Sequence, residues 1–172
     1  MSNNISNTNT SFDYLRNSSE FLNLVLGNIS TCILLLDQDM MLQAFNEPFR
    51  TIFSNKKDED LLYKRCGEAI GCAHQVEEEK ECGTTTHCQF CQLRESALLA
   101  YMNKTNVYKH KLSREFYKTS HEKELKHLQF SIRSFEFENE QYLILFIDDV
   151  TLLESQHITI IRQNVRINEL LN

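Results

Sequence analysis

The chain has 172 residues, 41% of them hydrophobic and 24% charged, with a net charge of −6. That is the balance of a folded domain of ordinary size rather than a disordered chain. It disfavours a nucleic-acid surface, which needs clustered Lys and Arg, and holds no apolar run near the roughly 18 residues that span a bilayer.

Residues 1–10 are expected to be a disordered leader rich in Asn and Ser. The opening "MSNNISNTNTSFDY" lacks the basic and apolar regions of an export signal, which points to the cytoplasm. A flanking helix is predicted over 11–30, where Phe12, Leu15, Phe21, Leu22, Leu24, Val25 and Leu26 recur at helical spacing. In "TCILLLDQDMMLQAFN" two apolar runs, Cys32 to Leu36 and Met40 to Phe45, flank "DQD" and predict a hairpin. Cys32 lies inside the first run and reads as a small core hydrophobe. "NEPFRTIF" predicts a short helix with Asn46 as N-cap and Pro48 in the first turn.

Next comes "CGEAIGCAHQVEEEKECGTTTHCQFCQLR", residues 66–94, with five of the six cysteines, three of the four glycines and two of the six histidines. Without an export signal, clustered cysteines bind metal or do redox chemistry more often than they form disulfides. After Cys91, "QLRESALLAYMNKT" predicts a helix with Leu93, Ala97, Leu98 and Tyr101 on one side. "NVYKHKLSREFY" alternates in part, and its basic and aromatic residues read as the solvated face of a strand pair. "LKHLQFSIRSFEFENEQYLILFIDDV" predicts two strands joined at "ENEQ", with Phe130, Ile132 and Phe135 on the first and a central strand at Tyr142 to Ile147. Asp148 and Asp149 are adjacent on a strand and so point to opposite faces; they read as caps for the next helix, not a catalytic pair. The final helix, 151–172, carries Leu153, Ile160 and Ile167 seven apart, with His157, Asn164 and Leu171 in the complementary seam positions. That pattern predicts a short coiled coil, with Asn164 able to set register. The order of elements fits an α+β fold: a five-stranded antiparallel sheet with helices on one face.

"CILLLDQDMMLQAFNEPFRTIF" and "FSIRSFEFENEQYLILFIDDVTLLES" resemble the opening and closing segments of a PAS domain. The resemblance implies a PAS-like domain over 31–150, with the cysteine-rich insert at 66–94 and a signalling helix after it. The insert is similar to that of a bacterial signalling subgroup, matched here by Gly67-Glu68, Cys72, Cys82-Gly83, Cys88-x-x-Cys91 and Arg94. Cys66 stands where that pattern has a non-ligand residue, and Glu81 replaces its glycine.

The resemblance marks Cys72, Cys82, Cys88 and Cys91 as a four-thiolate ligand set, the number a tetrahedral site needs. The spacing admits an iron–sulfur cluster or zinc; the sensory habit of PAS domains favours the cluster. A thiol–disulfide switch and merely buried cysteines are the other readings. Cys66, His74 and His87 lie close enough to be alternative ligands or partners of the sulfurs, with a spare thiol and surface histidines as the plainer readings. No phosphate loop, nucleophile elbow or zinc-protease helix is present in the sequence, so no enzyme is expected. The sequence therefore predicts a sensory module that reports redox state, oxygen or metal, forms a homodimer through its flanking helices and acts on a downstream signalling protein. A structural-zinc interaction domain and an electron-transfer protein are the alternatives.

Overall fold

The computed structural model describes residues 19–53, 58–119 and 121–170. The expected leader, the first part of the N-terminal helix and Leu171 lie outside them.

Helix α1 (Ser19–Asn28) leads into β1 (Cys32–Leu36) and β2 (Leu42–Phe45). Helices α2 (Pro48–Ile52) and α3 (Asp58–Leu61) follow. The insert forms α4 (Cys66–Ala69), α5 (Ala73–Glu78) and a 3₁₀ turn at Cys88–Phe90. Helix α6 (Gln92–Asn103) then precedes β3 (Val107–Tyr117), β4 (Lys123–Phe137), β5 (Glu140–Asp149) and α7 (Thr151–Leu170). The sheet is antiparallel in the order β2-β1-β5-β4-β3. The predicted α+β architecture is therefore present, with β5 central as its apolar run requires.

Alternation decides which face each strand buries. Leu143, Leu145 and Ile147 on β5 are buried, as are Leu128, Phe130 and Ile132 on β4 and Leu112 and Phe116 on β3. Phe135 is out of step with Phe130 and Ile132 and is 39% exposed, so it belongs to the opposite face. The β4–β5 turn is tighter than "ENEQ": only Glu138 and Asn139 lie outside the strands, at φ 51° and 66°. Two left-handed residues give the turn whose twist matches the flanking strands. The core is filled by aromatic rings. Phe45, Phe49, Phe53 and Phe116 follow one another at centroid separations of 4.7, 5.5 and 5.4 Å.

Two sequence expectations change locally. Met40 turns at φ 62° and Asp37 Oδ1 accepts from the amides of Asp39 and Met41, so β2 begins at Leu42. Asn46 makes no side-chain cap for α2. Its amide instead accepts from Ile33 N–H at 2.8 Å and donates to the carbonyls of Leu26 and Thr31 at 3.1 and 3.0 Å. These bonds fasten the end of α1 to β1. Asn46→Leu, which leaves those backbone groups without partners, is expected to cost about 1–3 kcal/mol, read as a lower urea midpoint at unchanged slope.

The insert is fastened at both edges of the sheet. On the β2 side, Cys66 N–H donates to Met40 O at 3.1 Å, and Leu42 exchanges backbone bonds with Tyr63 and Lys64. On the β3 side, Cys72 bridges Phe116, and Tyr117 N–H donates to Gly71 O at 2.7 Å. Such cover blunts edge strands and fixes where the cysteines sit over the core.

Asp149 caps α7 as expected, accepting from the Thr151 amide at 3.0 Å, while Asp148 turns away to accept from Thr31 Oγ1. Along α7, Leu153, Ile160 and Ile167 are 64%, 55% and 53% exposed, and His157 and Asn164 are exposed beside them. The seam of α7 thus faces away from the domain.

Candidate metal centre

Cys66, Cys72, Cys82, Cys88 and Cys91 line one cavity of about 50 Å³ beside the core, and all six cysteines are free thiols. Cys32 is fully buried in β1 outside this lining, where burial, then the Asp148 charge, push its thiol up to about 12. It is the inert core residue the sequence predicts.

The four motif cysteines arrive from different elements. Cys72 stands at the N-terminus of α5, Cys82 in the loop after it, Cys88 at the start of the 3₁₀ turn, and Cys91 just before α6. The Cys88-x-x-Cys91 turn is closed by Cys91 N–H donating to Cys88 O at 3.2 Å. The rest of the motif serves the same sulfurs. Glu68 Oε1 accepts from Cys82 N–H at 3.2 Å. A Cβ at Gly67 would stand 2.5 Å from Cys82 Sγ, so only glycine lets α4 pass that close. Gly83 has φ +105°, and a Cβ there would meet the Arg94 guanidinium at 2.8 Å. Glu81 pairs with Arg65 at 3.5 Å, an ion pair that a glycine at this position would not offer.

Electrostatics differ among the sulfurs. Burial raises Cys66 well above the ordinary thiol value, reinforced by Cys82 and Cys91. Burial also pushes Cys82 up to about 11, opposed by a hydrogen bond from the Gly67 backbone. Cys88 goes the other way. Burial disfavours its thiolate, but Thr85 Oγ1 at 2.9 Å, Gly83 N–H at 3.1 Å and the Arg94 charge together hold it below the usual value. Arg114, from β3, donates through Nη1 to Cys91 Sγ at 3.2 Å and to Cys72 Sγ at 3.7 Å.

Among the described residues, no three His, Cys, Asp or Glu side chains are arranged to hold a metal ion as they stand. A single zinc would draw four sulfurs to about 2.3 Å from one point. Here five sulfurs line one small cavity, with N–H groups and cations directed at them. All-thiolate donors are the chemistry that both zinc and iron–sulfur clusters take. Cys66 lines the space as a fifth thiol and hydrogen-bonds through its backbone to Met40. His74 and His87 do not line it. Their rings stack 3.8 Å apart, 4° from parallel. Glu78 Oε1 lies 3.2 Å from His87 Nδ1 and the carboxylate accepts from Thr86 N–H. Hydrogen bonds from Thr86 pull that carboxylate down to about 2. The pair closes the loop against α5 and stands clear of the cavity.

Arg114 is the site residue that sequence reasoning passed over as part of a solvated face. Its signal was present: Leu112, Arg114 and Phe116 share one side of β3, and the outer two are 5% and 1% exposed. A cation in step with two core residues must point inward and needs acceptors there.

No family model matches the chain, and no curated protein matches it. Solved structures do match, and the fold they share is the PAS fold. A PAS domain from Colwellia psychrerythraea is 9% identical with a TM-score of 0.52, over 77% of this chain and 96% of that one. The PAS domain of nitrogen regulation protein NR(II) from Vibrio parahaemolyticus is 10% identical with a TM-score of 0.51, over 74% and 96%. An RNA-binding Light-Oxygen-Voltage receptor gives a TM-score of 0.55 at 13% identity, covering 98% of this chain and 42% of that one. At such identities the likeness establishes the fold alone.

Proposed function

We propose that this PAS-fold chain is a cytoplasmic, non-catalytic sensory module whose insert holds an iron–sulfur cluster through Cys72, Cys82, Cys88 and Cys91, and that it signals through its flanking helices. The observation that carries the reading is the cavity itself: the four thiols of the motif edge one small space, with Gly83, Thr85 and Arg114 hydrogen-bonded to the sulfurs. When bound, such a cluster supplies a charge state that responds to oxidant and electron supply. Phe116 closes one side of this cavity, and pockets for drug-sized molecules hold about 300 Å³ or more, against the 50 Å³ here.

The route to the output is short. Ser113, next to Arg114 on β3, lies 2.7 Å from His127 Nδ1 on β4. His127 N–H donates to Thr151 Oγ1 at the root of α7, and Lys111 of β3 pairs with Glu154 one turn further on. The exposed seam of α7 and the exposed Leu22, Leu24 and Val25 of α1 supply apolar surface for a homodimer. A downstream signalling protein reads the pairing.

Protein purified without oxygen is expected to be brown, with a broad band near about 400 nm and iron and sulfide bound in stoichiometric amount. A colourless protein carrying one zinc per chain would instead establish the second reading, a structural-zinc interaction domain. Reversible electron exchange with a partner, at unchanged helix pairing, would mark an electron carrier.

A further inference from the structure

Resting on the iron–sulfur reading, we propose that Arg114 is a positioning residue for the centre: it sets the charge of the sulfur site and raises the reduction potential of what the site holds.

Arg114 reaches the cavity because of strand parity. It stands between Leu112 and Phe116 on the core side of β3, while its neighbours Ser113 and Glu115 face outward. The register pairs it with Lys126, so the opposite strand brings no carboxylate across from it. Among the described residues no Asp or Glu forms an ion pair with Arg114; the recorded acceptors of its guanidinium are Cys91 Sγ and Cys72 Sγ. A half-buried guanidinium without a carboxylate is costly unless its acceptors carry negative charge. Neutral thiols are weak acceptors, whereas thiolates bound to a metal centre are anionic and accept strongly. Sulfurs bound in a metal centre are therefore the acceptors that match this cation.

The cation is held in place by the same strand that anchors the insert. Two residues on, Phe116 bridges Cys72, and then Tyr117 N–H bonds Gly71 O. Gly71 sits at φ +71° with its absent Cβ only 2.3 Å from Tyr117 O, so the strap leaves no slack. The strap thus fixes the Cys72 backbone against β3, where Arg114 Nη1 reaches the sulfurs of Cys91 and Cys72. Reduction adds one electron to the centre and makes the site more negative. A fixed cation hydrogen-bonded to two of the ligands stabilises the reduced form more than the oxidised form. Arg94, packed on Gly83 at the Cys88 side, supplies a second cation to the same site.

The test is an anaerobic redox titration of wild type, R114M, R114Q and R114K, followed by visible absorbance and by iron content. R114M and R114Q are expected to keep iron and to lower the ratio of reduced to oxidised centre about tenfold at a given potential. That corresponds to about 59 mV for one electron. R114K, which retains the charge, is expected to recover most of the wild-type potential. Circular dichroism checks folding; if R114M does not fold, R114Q carries the measurement. Iron-loaded R114M or R114Q titrating with wild type overturns the role of Arg114 and leaves the cluster standing. Wild type without iron overturns the cluster reading itself.

Discussion

Replacing Cys88 and Cys91 together with serine is expected to empty the site, lowering bound iron by about tenfold or more against wild type. The two residues supply half of the proposed ligands; Cys88 opens the 3₁₀ turn of the insert and Cys91 follows it just before α6. Serine preserves size but not softness, and its hydroxyl does not ionise near neutral pH. The loss should extend beyond the metal. The loop from Glu79 to His87 has no regular element of its own, and is held by Glu68 at Cys82 and by Glu78 at Thr86. Without a centre to gather it, amide exchange in that loop should rise while the sheet stays protected. Cys32→Ala is the matched control: it removes a thiol from β1, away from the cavity, and should leave iron content unchanged. A double serine variant with a full metal complement would refute the ligand assignment.

Phe116→Ala should produce the largest loss of stability among single substitutions near the site, about 3–5 kcal/mol. The ring is 1% exposed, lies edge-on to Phe53 and lines the cavity, while its backbone bridges Cys72. Truncation opens space between the sheet and the insert, where neighbouring rings cannot follow without leaving Phe49. For a domain of this size the corresponding fall in melting temperature is about 10 °C. Phe90→Ala, at a ring 76% exposed between two of the cysteines, should change stability by less than about 0.5 kcal/mol. A Phe116→Ala variant melting within a degree or two of wild type would contradict the packing described here.

Much of the fold was legible because strand parity and turn chemistry are local. The runs Cys32 to Leu36 and Tyr142 to Ile147 announce themselves, and the structure pairs them, Cys32 opposite Ile147. What was not legible depends on partners far along the chain. Asn46 reads as a helix cap from its neighbours, but its bonds go to Leu26, Thr31 and Ile33, which sequence spacing does not reveal. Helices α4 and α5 have four and six residues, too short for an apolar period to show. In the site, the motif supplied the cysteines and the Gly67-Glu68 pair, and Glu68 is found bonded to Cys82. Arg114 escaped because the surrounding Lys, His and Tyr residues of β3 suggested a wet surface. Parity with Leu112 and Phe116 was the better guide.

The place of β5 between β1 and β4 has a consequence for biosynthesis. A ribosome releases β1 long before its neighbour exists, and the hairpin it forms with β2 waits unpartnered until the chain has emerged as far as Asp149. Joining ends so distant in sequence adds little to the equilibrium cost but slows the search. Throughout that interval the five thiols of the insert are in bulk solvent, without a sheet beneath them. An oxidant that meets the nascent chain first therefore reaches thiols that the folded sheet and insert later cover.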